Sequence, residues 1–304
     1  MSTSLRLGTR GSALAMAQAT DVATLVEKAT GRTVELVEIV TTGDRSSAPV
    51  AQLGVGVFVS ALRDALLAGE IDIAVHSYKD LPTAPADGLT IIAVPERADP
   101  RDALIARDGL ALASLPSGAR VGTGAPRRIA QLYALGYGLE CVPLRGNVDT
   151  RLRKVADGSL DAVVLAAAGL ARLGRSDEVT ELLDPMLMLP APAQGALAVE
   201  IRSDDAALAE SLAAIDHPAT HAAVRAERAL LAALEAGCSA PVGALAEVTE
   251  DQEIYLRGAV IAADGSHAVR LSDTGTPSDA EAIGRRLAAT LLDAGADSLL
   301  GSNE

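Results

Sequence analysis

Residues 71–82 read IDIAVHSYKDLP: an apolar run from Ile71 to Val75 gives way to His76, Ser77, Lys79 and Asp80, and Pro82 ends any regular element. A proton carrier, a hydroxyl, one of only three lysines in the chain and a carboxylate gather just past what reads as a buried strand. Such a set can bind an anion or move a proton. Two further segments concentrate positive charge. GTGAPRR (122–128) runs a glycine-bearing turn into a helix start, where free N–H groups and the helix dipole favour an anion, and Arg127 and Arg128 add fixed charge. LRGNVDTR (144–151) repeats the arrangement, with Arg145 before the turn and Arg151 in the first helical turns. Arg6, Arg10 and Arg172 likewise fall in short connections or at helix starts after apolar runs. The planar guanidinium pairs two-to-two with carboxylates, so arginines repeated at strand ends point to a ligand bearing several of them.

Other chemistries fit less well. His217 and His221 stand four apart in HPATH, a spacing that can put two ligands on one helix face, but the Glu of HExxH is missing and Asp216-His217-Pro218 reads as an ordinary helix start. No metal site is expected. His76, Ser77 and Asp80 do not read as a hydrolase triad, because neighbouring strand residues point to opposite sides and no G-x-S-x-G turn is present. Gly54 and Gly56 lack a third glycine, and no GK[ST] follows a glycine run, which removes the phosphate loops. Cys238, in EAGCSAPVG, lies in a glycine-flanked loop after a long helix, and is either a passive thiol or a covalent attachment point. Cys141 reads as a structural residue within a strand.

The elements that must position these groups follow from periodicity and punctuation. Leu5 to Gly8 reads as a strand, Ser12 as the cap of a helix closed by Gly31, 33–40 as a strand, 56–69 as a helix, and 71–75 and 89–94 as strands. This order implies a parallel sheet with helices on both faces. The pattern repeats through 103–106, 119–122, a helix from Pro126, 140–144, a helix near 148–156 and 161–166. GALAVEIR (195–202) is one strand more than the second unit can use, and is expected to cross back to the first sheet. From His217 a long helix, three alternating stretches and a terminal helix suggest a small α+β domain with a three-stranded antiparallel sheet. The expected domains are therefore 1–96 with 196–214, 100–190 and 217–304. Two such α/β lobes bind ligand in the cleft between them, at strand C-terminal ends.

Composition narrows the class. At 304 residues the chain can build two or three cores, and with no Trp and one Phe these must be close-packed Ala, Val and Leu. A net charge of −14 argues against nucleic-acid binding. Two cysteines make no disulfide framework. Without a charged-then-apolar leader or an apolar run of about 18 residues, a soluble cytoplasmic protein is expected. No heptads or apolar patch argue for assembly, so a monomer is expected.

VHSYKDLP, GTGAPRR, LRGNVDTRL, AAAGLARLG, PAPAQGA and AERALLAALEAGCSAPVG, in this order, resemble the porphobilinogen deaminase (hydroxymethylbilane synthase) family over nearly the whole chain. The resemblance implies two periplasmic-binding-protein-like α/β lobes plus a small α+β C-terminal domain. It implies a dipyrromethane cofactor joined by a thioether to Cys238, and a transferase that condenses four porphobilinogen molecules with loss of ammonia before hydrolysis frees the linear product. By motif position Asp80 is the catalytic acid, its carboxylate stabilising the cation left by ammonia and shuttling the proton. Lys79, Ser77, Thr123, Arg127, Arg128, Arg145, Gly146 and Gln194 match the cofactor-binding positions, and Arg6, Arg10, Ser12, Arg151, Arg172 and Phe58 those facing substrate. Phe58 could equally be a core residue of the first lobe. Where many relatives have lysines this chain has Val55 and Ser60, and Gly124 and Ala125 replace hydroxyl residues. Each pyrrole brings two carboxylates, so the cofactor-free protein, its arginines repelling one another, is expected to be the less stable form.

The rival reading is a non-enzymatic two-lobed organic-anion binding protein, or the ligand domain of a regulator. A binder needs no covalent adduct, so Cys238 separates the two.

Overall fold

The structure, a computed structural model, describes residues 4–40, 59–235 and 240–300. The chain divides into two compact units, residues 1–98 with 196–221 and residues 99–195 with 222–304. Each is built around a five-stranded sheet of the same unusual order.

In the first unit, strands β1 (Ser4–Thr9), β2 (Thr33–Glu38), β3 (Ile73–Ser77) and β4 (Leu89–Ala93) are joined by β10 (Leu197–Arg202), in the order β2-β1-β3-β10-β4. β1 pairs parallel with β2 and β3, whereas β10 enters antiparallel between β3 and β4. Segment 195–202 thus returns to the first sheet, as its surplus in the second unit suggested. Ser12 caps helix α1 (Ala13–Thr30), its Oγ accepting the Ala15 N–H at 3.3 Å, and Gly31 closes it at φ 67°. Val22 and Val26 of α1 and Leu208 and Leu212 of helix α6 (Ala206–Leu212) cover Leu7, Ile73 and Val75 on one face. Leu62 and Leu66 of helix α2 (Ser60–Leu67) cover Ala74 on the other. Burial of each such Leu or Val contributes about 1.5–3 kcal/mol, which makes these two faces the source of the lobe's rigidity.

Among the boundaries that differ from the sequence reading, one bears on the site. The strand expected at 71–75 runs from Ile73 to Ser77, because β10 offers backbone partners beyond the apolar run: His76 pairs with Ala198 and Ser77 with Leu197. His76 and Ser77 are therefore strand residues, and only Tyr78–Asp80 form the following 3-10 turn.

The second unit repeats the plan. β5 (Asp102–Ala106), β6 (Arg120–Gly122), β7 (Glu140–Val142), β8 (Ala162–Ala166) and β9 (Glu181–Leu182) lie in the order β7-β6-β8-β5-β9, with β5 antiparallel to β8 and β9. Helix α3 (Pro126–Ala134) packs Leu132 on one face, and α4 (Val148–Ala156) and α5 (Ala167–Arg172) pack Leu152 and Leu170 on the other. Cys141, in β7, is partly buried, and that burial pushes its thiol up to about 11, partly offset by a hydrogen bond with Tyr133.

Helix α7 (Pro218–Ala233) leads to strands β11 (Val242–Val248), β12 (Ile254–Ile261) and β13 (Ala268–Gly275), an antiparallel meander backed by helix α8 (Ala280–Asp293). Leu230 of α7 and Ile283, Leu287 and Leu291 of α8 seal this sheet. Leu245, Ala259 and Ile261 pack on Ala130 and Leu189, which joins the meander to the second lobe in one unit. Cys238 and Phe58 lie outside the described residues, as do Gly54, Val55 and Gly56. Among the described residues no helix is long and apolar enough to cross a membrane.

Candidate active site

At the C-terminal end of β3 the chain leaves the sheet through Tyr78, whose N–H donates to Ala196 O at 3.1 Å, and turns so that Asp80 is exposed. Pro82 then keeps the turn from extending. Asp80 shares a small recess with Arg10, Gln18, His76 and Ser77, all of the first unit. Ser77 and Gln18 exchange hydrogen bonds, Gln18 Nε2 donating to Ser77 Oγ at 2.8 Å and Ser77 Oγ lying 3.1 Å from Gln18 Oε1. Gln18 comes from the buried face of α1 and fixes the hydroxyl at the strand end.

His76, one residue earlier, points to the other face of the sheet. Its Nε2 lies 2.9 Å from Glu200 Oε2 of β10, and Arg63 of α2 donates to the same carboxylate from Nε at 3.0 Å. Burial would raise the Glu200 pKa, but the bonds from His76 and Arg63 prevail and hold it below the usual carboxylate range. His76, Ser77 and Asp80 therefore form no triad: His76 is bonded to Glu200 and Ser77 to Gln18.

Arg6 is placed elsewhere. Its guanidinium grips Asp72 at the start of β3 (Nε to Oδ2 3.1 Å, Nη2 to Oδ1 2.8 Å), at the opposite end of the strand from Ser77 and Asp80. The structure does not bring Arg6 to the turn. Ser12 is occupied as the α1 cap. Lys79 is half-buried in the turn.

The second unit assembles most of the remaining arginines. Arg127 and Arg128 emerge in the first turn of α3, where Pro126 presets the helix and Thr123 Oγ1 accepts the Ala125 N–H at 3.3 Å. That bond leaves the Thr123 O–H as the group it can donate. Neither arginine is a solvated surface residue. Both are buried against Asp102, the fully buried first residue of β5. Asp102 Oδ1 accepts from Arg128 Nε at 3.0 Å and Nη2 at 2.7 Å, and from Gln194 Nε2 at 2.9 Å. Arg127 Nη2 stands 2.8 Å from Asp102 Oδ2 as an ion pair, with no N–H aimed along it as a hydrogen bond. Burial would raise the Asp102 pKa; the charges of Arg127 and Arg128 override it and hold the carboxyl far below its ordinary value. For Arg127, burial lowers the pKa.

Arg151 Nε donates to Gly146 O at 2.9 Å, a carbonyl presented by a glycine at φ 105°. Asn147 caps α4 by accepting the Thr150 N–H. Burial, together with the charges of Arg128 and Arg145, depresses the Arg151 pKa. Arg172 Nη2 donates to Gly195 O at 2.9 Å, beside Gln194. At Gly124 a Cβ would meet Leu144 O at 2.7 Å, so this turn has no room for a side-chain hydroxyl.

Sequence reasoning missed Gln18, Arg63, Glu200, Asp102 and Glu227. A signal existed for two: Asp102 opens an otherwise apolar strand and Glu200 interrupts the apolar run of another, and a lone acid there must be paired. His217 and His221 engage separate partners, Thr220 at 2.9 Å and Asp216 at 2.8 Å.

Comparison with known proteins identifies the family. Residues 5–210 match the family model described as porphobilinogen deaminase, dipyromethane cofactor binding domain, and residues 221–293 match porphobilinogen deaminase, C-terminal domain. The porphobilinogen deaminase of Nocardia farcinica is 62% identical over 98% of this chain and 88% of its own. That of Mycobacterium tuberculosis (strain H37Rv) is 59% identical over 97% of this chain and 98% of its own. Among solved structures, a periplasmic substrate-binding protein of an ABC transporter from Coxiella burnetii aligns with TM-score 0.45 at 15% identity, covering 71% of this chain and 94% of that one. With two family models spanning most of its length and relatives this similar end to end, the chain belongs to the porphobilinogen deaminase family.

Proposed function

We propose that the chain is a hydroxymethylbilane synthase, a transferase that joins four porphobilinogen molecules head to tail on a dipyrromethane held by Cys238, then releases the linear tetrapyrrole to water. The observation that carries the reading is the division of labour between the lobes. An exposed carboxylate, Asp80, stands at a strand end in one, and buried, aligned guanidiniums stand at the strand ends of the other.

The residues fit the cofactor. Two buried arginines aligned on a carboxylate that Gln194 fixes, a third crowded by cations and a buried hydroxyl (Thr123) form a donor set suited to acetate and propionate groups. Gln194, Thr123, Arg127, Arg128, Arg145 and Gly146 would hold it, with Ser77 and Lys79 from the first lobe. When bound, the group supplies the pyrrole α-carbon to which the first substrate is joined.

In each addition the substrate loses ammonia from its aminomethyl carbon and a proton must be taken up, so the site has to steady positive charge twice, as ammonia leaves and as the new C–C bond forms. Asp80 lowers both barriers because its charge is fixed where the cation develops, and it accepts the proton. Arg10, Ser12, Arg151 and Arg172 take substrate carboxylates, with Phe58 against the rings. Arg6, committed to Asp72, contributes by holding β1 to β3. We read the chain as three domains, 1–96 with 196–214, 100–190 and 217–304, in a cytoplasmic monomer that binds neither nucleic acid nor membrane.

The test is intact mass with turnover. Purified protein should carry two pyrrole units, lost on Cys238→Ala, and should release one ammonia per porphobilinogen consumed. A bare thiol in active protein would remove the reading. Unmodified protein that binds porphobilinogen without ammonia release would favour the binding-protein alternative.

A further inference from the structure

We propose that Asp102 is an internal stand-in for ligand carboxylate, a positioning residue that keeps Arg127 and Arg128 in register for the carboxylates of an incoming pyrrole. The inference rests on the proposed function for the nature of that ligand, and on geometry for the rest. One fully buried carboxylate serves two buried guanidiniums, and a third cation, Arg151, is crowded by Arg128. A site built only for stability would balance these charges or replace them with apolar groups of similar volume, since buried ions cost more than they return. Two guanidiniums on one carboxylate leave an excess of buried positive charge, which a further anion relieves.

The two arginines are held differently. Arg128 makes two directed bonds to Oδ1 and a third, from Nη1, to Val164 O at 3.0 Å. Arg127 is anchored through Nη1 to Leu189 O at 2.5 Å, while its Nη2 faces Oδ2 without a directed hydrogen bond. Arg128 is thus locked, and Arg127 is the member whose contact with Asp102 a ligand carboxylate can share at least cost.

Asp102 is itself fixed from behind. Gln194 Nε2 bridges Asp102 Oδ1 and Pro100 O, at 2.9 and 2.8 Å. The preceding residue, Ala193, holds a left-handed φ of 62°, and its N–H donates to Oε2 of the buried Glu227 in α7 at 2.5 Å. Glu227 Oε1 accepts the Ala246 N–H of β11 at 2.8 Å. A chain of bonds therefore runs from the helix that leads to Cys238, through the strained joint, to the carboxylate that sets the arginines.

The test uses the full-length Cys238→Ala protein, which cannot be loaded covalently, and citrate as the polycarboxylate probe against sodium chloride of equal ionic strength. Asp102→Asn should lower the melting temperature in chloride by roughly 10 °C, the effect expected for an uncompensated buried charge. Citrate should then raise the variant's melting temperature at least twice as far as that of the Asp102 protein, because the probe takes the vacated role. Equal citrate shifts in the two proteins would overturn the proposal and leave Asp102 a purely structural acid. If Asp102→Asn does not fold, Asp102→Asn with Arg127→Gln restores the charge balance. Its citrate shift should fall below that of the Asp102 protein, and an undiminished shift would overturn the proposal. Either failure leaves the tetrapyrrole assignment standing, since covalent mass and ammonia release test that separately.

Discussion

Each lobe inserts one antiparallel strand into an otherwise parallel sheet, and each inserted strand buries a carboxylate: Glu200 on β10, Asp102 on β5. Their depths differ. Asp102 pairs with Ala166, the last residue of β8, and so sits at the carboxyl end of a parallel strand, where α/β folds bind ligands. Glu200 pairs with Ala74, three rungs below Ser77, inside the sheet. In the second lobe the acid therefore sits at the carboxyl end of the parallel strands and gathers arginines there. In the first, the buried acid is spent on His76 and Arg63, and the strand end is left to Asp80, exposed. On the proposed reading, the lobes thus separate the scaffolding acids from the reactive one.

This contrast can be broken in several places. The largest effect is expected from Asp80→Asn, which keeps shape and removes charge: porphobilinogen turnover should fall about 10²–10⁴-fold, the range for loss of a positioned acid–base group. Steady-state rates that stay near wild type would mean the reactive carboxylate lies elsewhere. Next is Glu200→Ala, which strands Arg63 and His76 in the first lobe and should cost about 3–5 kcal/mol in denaturant unfolding, as for a buried pair that loses one partner. A loss under about 1 kcal/mol, the scale of a surface pair, would show that the network is not tightly coupled to the sheet.

Smaller effects probe the second lobe. Arg151→Gln removes a cation crowded by two others, so the cofactor-free protein should melt slightly higher and the loaded protein slightly lower than their parents, by about 1–2 °C each. Shifts of the same sign in both forms would refute the idea that ligand charge relieves this cluster. Acid should separate the lobes as well. Both carboxyls lie below their unfolded values, so each contributes stability present above about pH 4 and lost as pH falls through the folded pKa. Asp102 faces two buried guanidiniums whereas Glu200 faces one and an imidazole, so hydrogen exchange on acidification should show β3 and β10 losing protection before β5 and β8. The reverse order would contradict the assignment of the stronger pairing to the second lobe.

Much of this was legible in the sequence. Ser12, Gly31 and Pro126 marked helix ends by local chemistry, and the surplus strand at 195–202 gave away its return to the first sheet, because topology leaves such a strand nowhere else to pair. Asp80 and the arginine segments were legible because their residue types are rare beside buried strands. The partners were not. Gln18 and Ser77 are 59 residues apart, and Arg63 and Glu200 are 137 apart, and nothing local reports such a meeting. Arg6 illustrates the cost: by type and position after an apolar run it reads like Arg10, but its register across the sheet puts it on Asp72. Arg127 and Arg128 were legible as paired cations at a helix start, while the acid already seated between them was not.

The division of labour between the lobes is tested most directly by one intact-mass comparison of two purified variants, Asp80→Asn and Arg128→Gln. The Asp80→Asn protein should retain the two covalent pyrrole units of the parent, because its arginines and Cys238 are untouched. Arg128→Gln should be recovered largely without them. If Asp80→Asn lacked the adduct while Arg128→Gln carried it in full, grip and chemistry would not be divided between the lobes in this way.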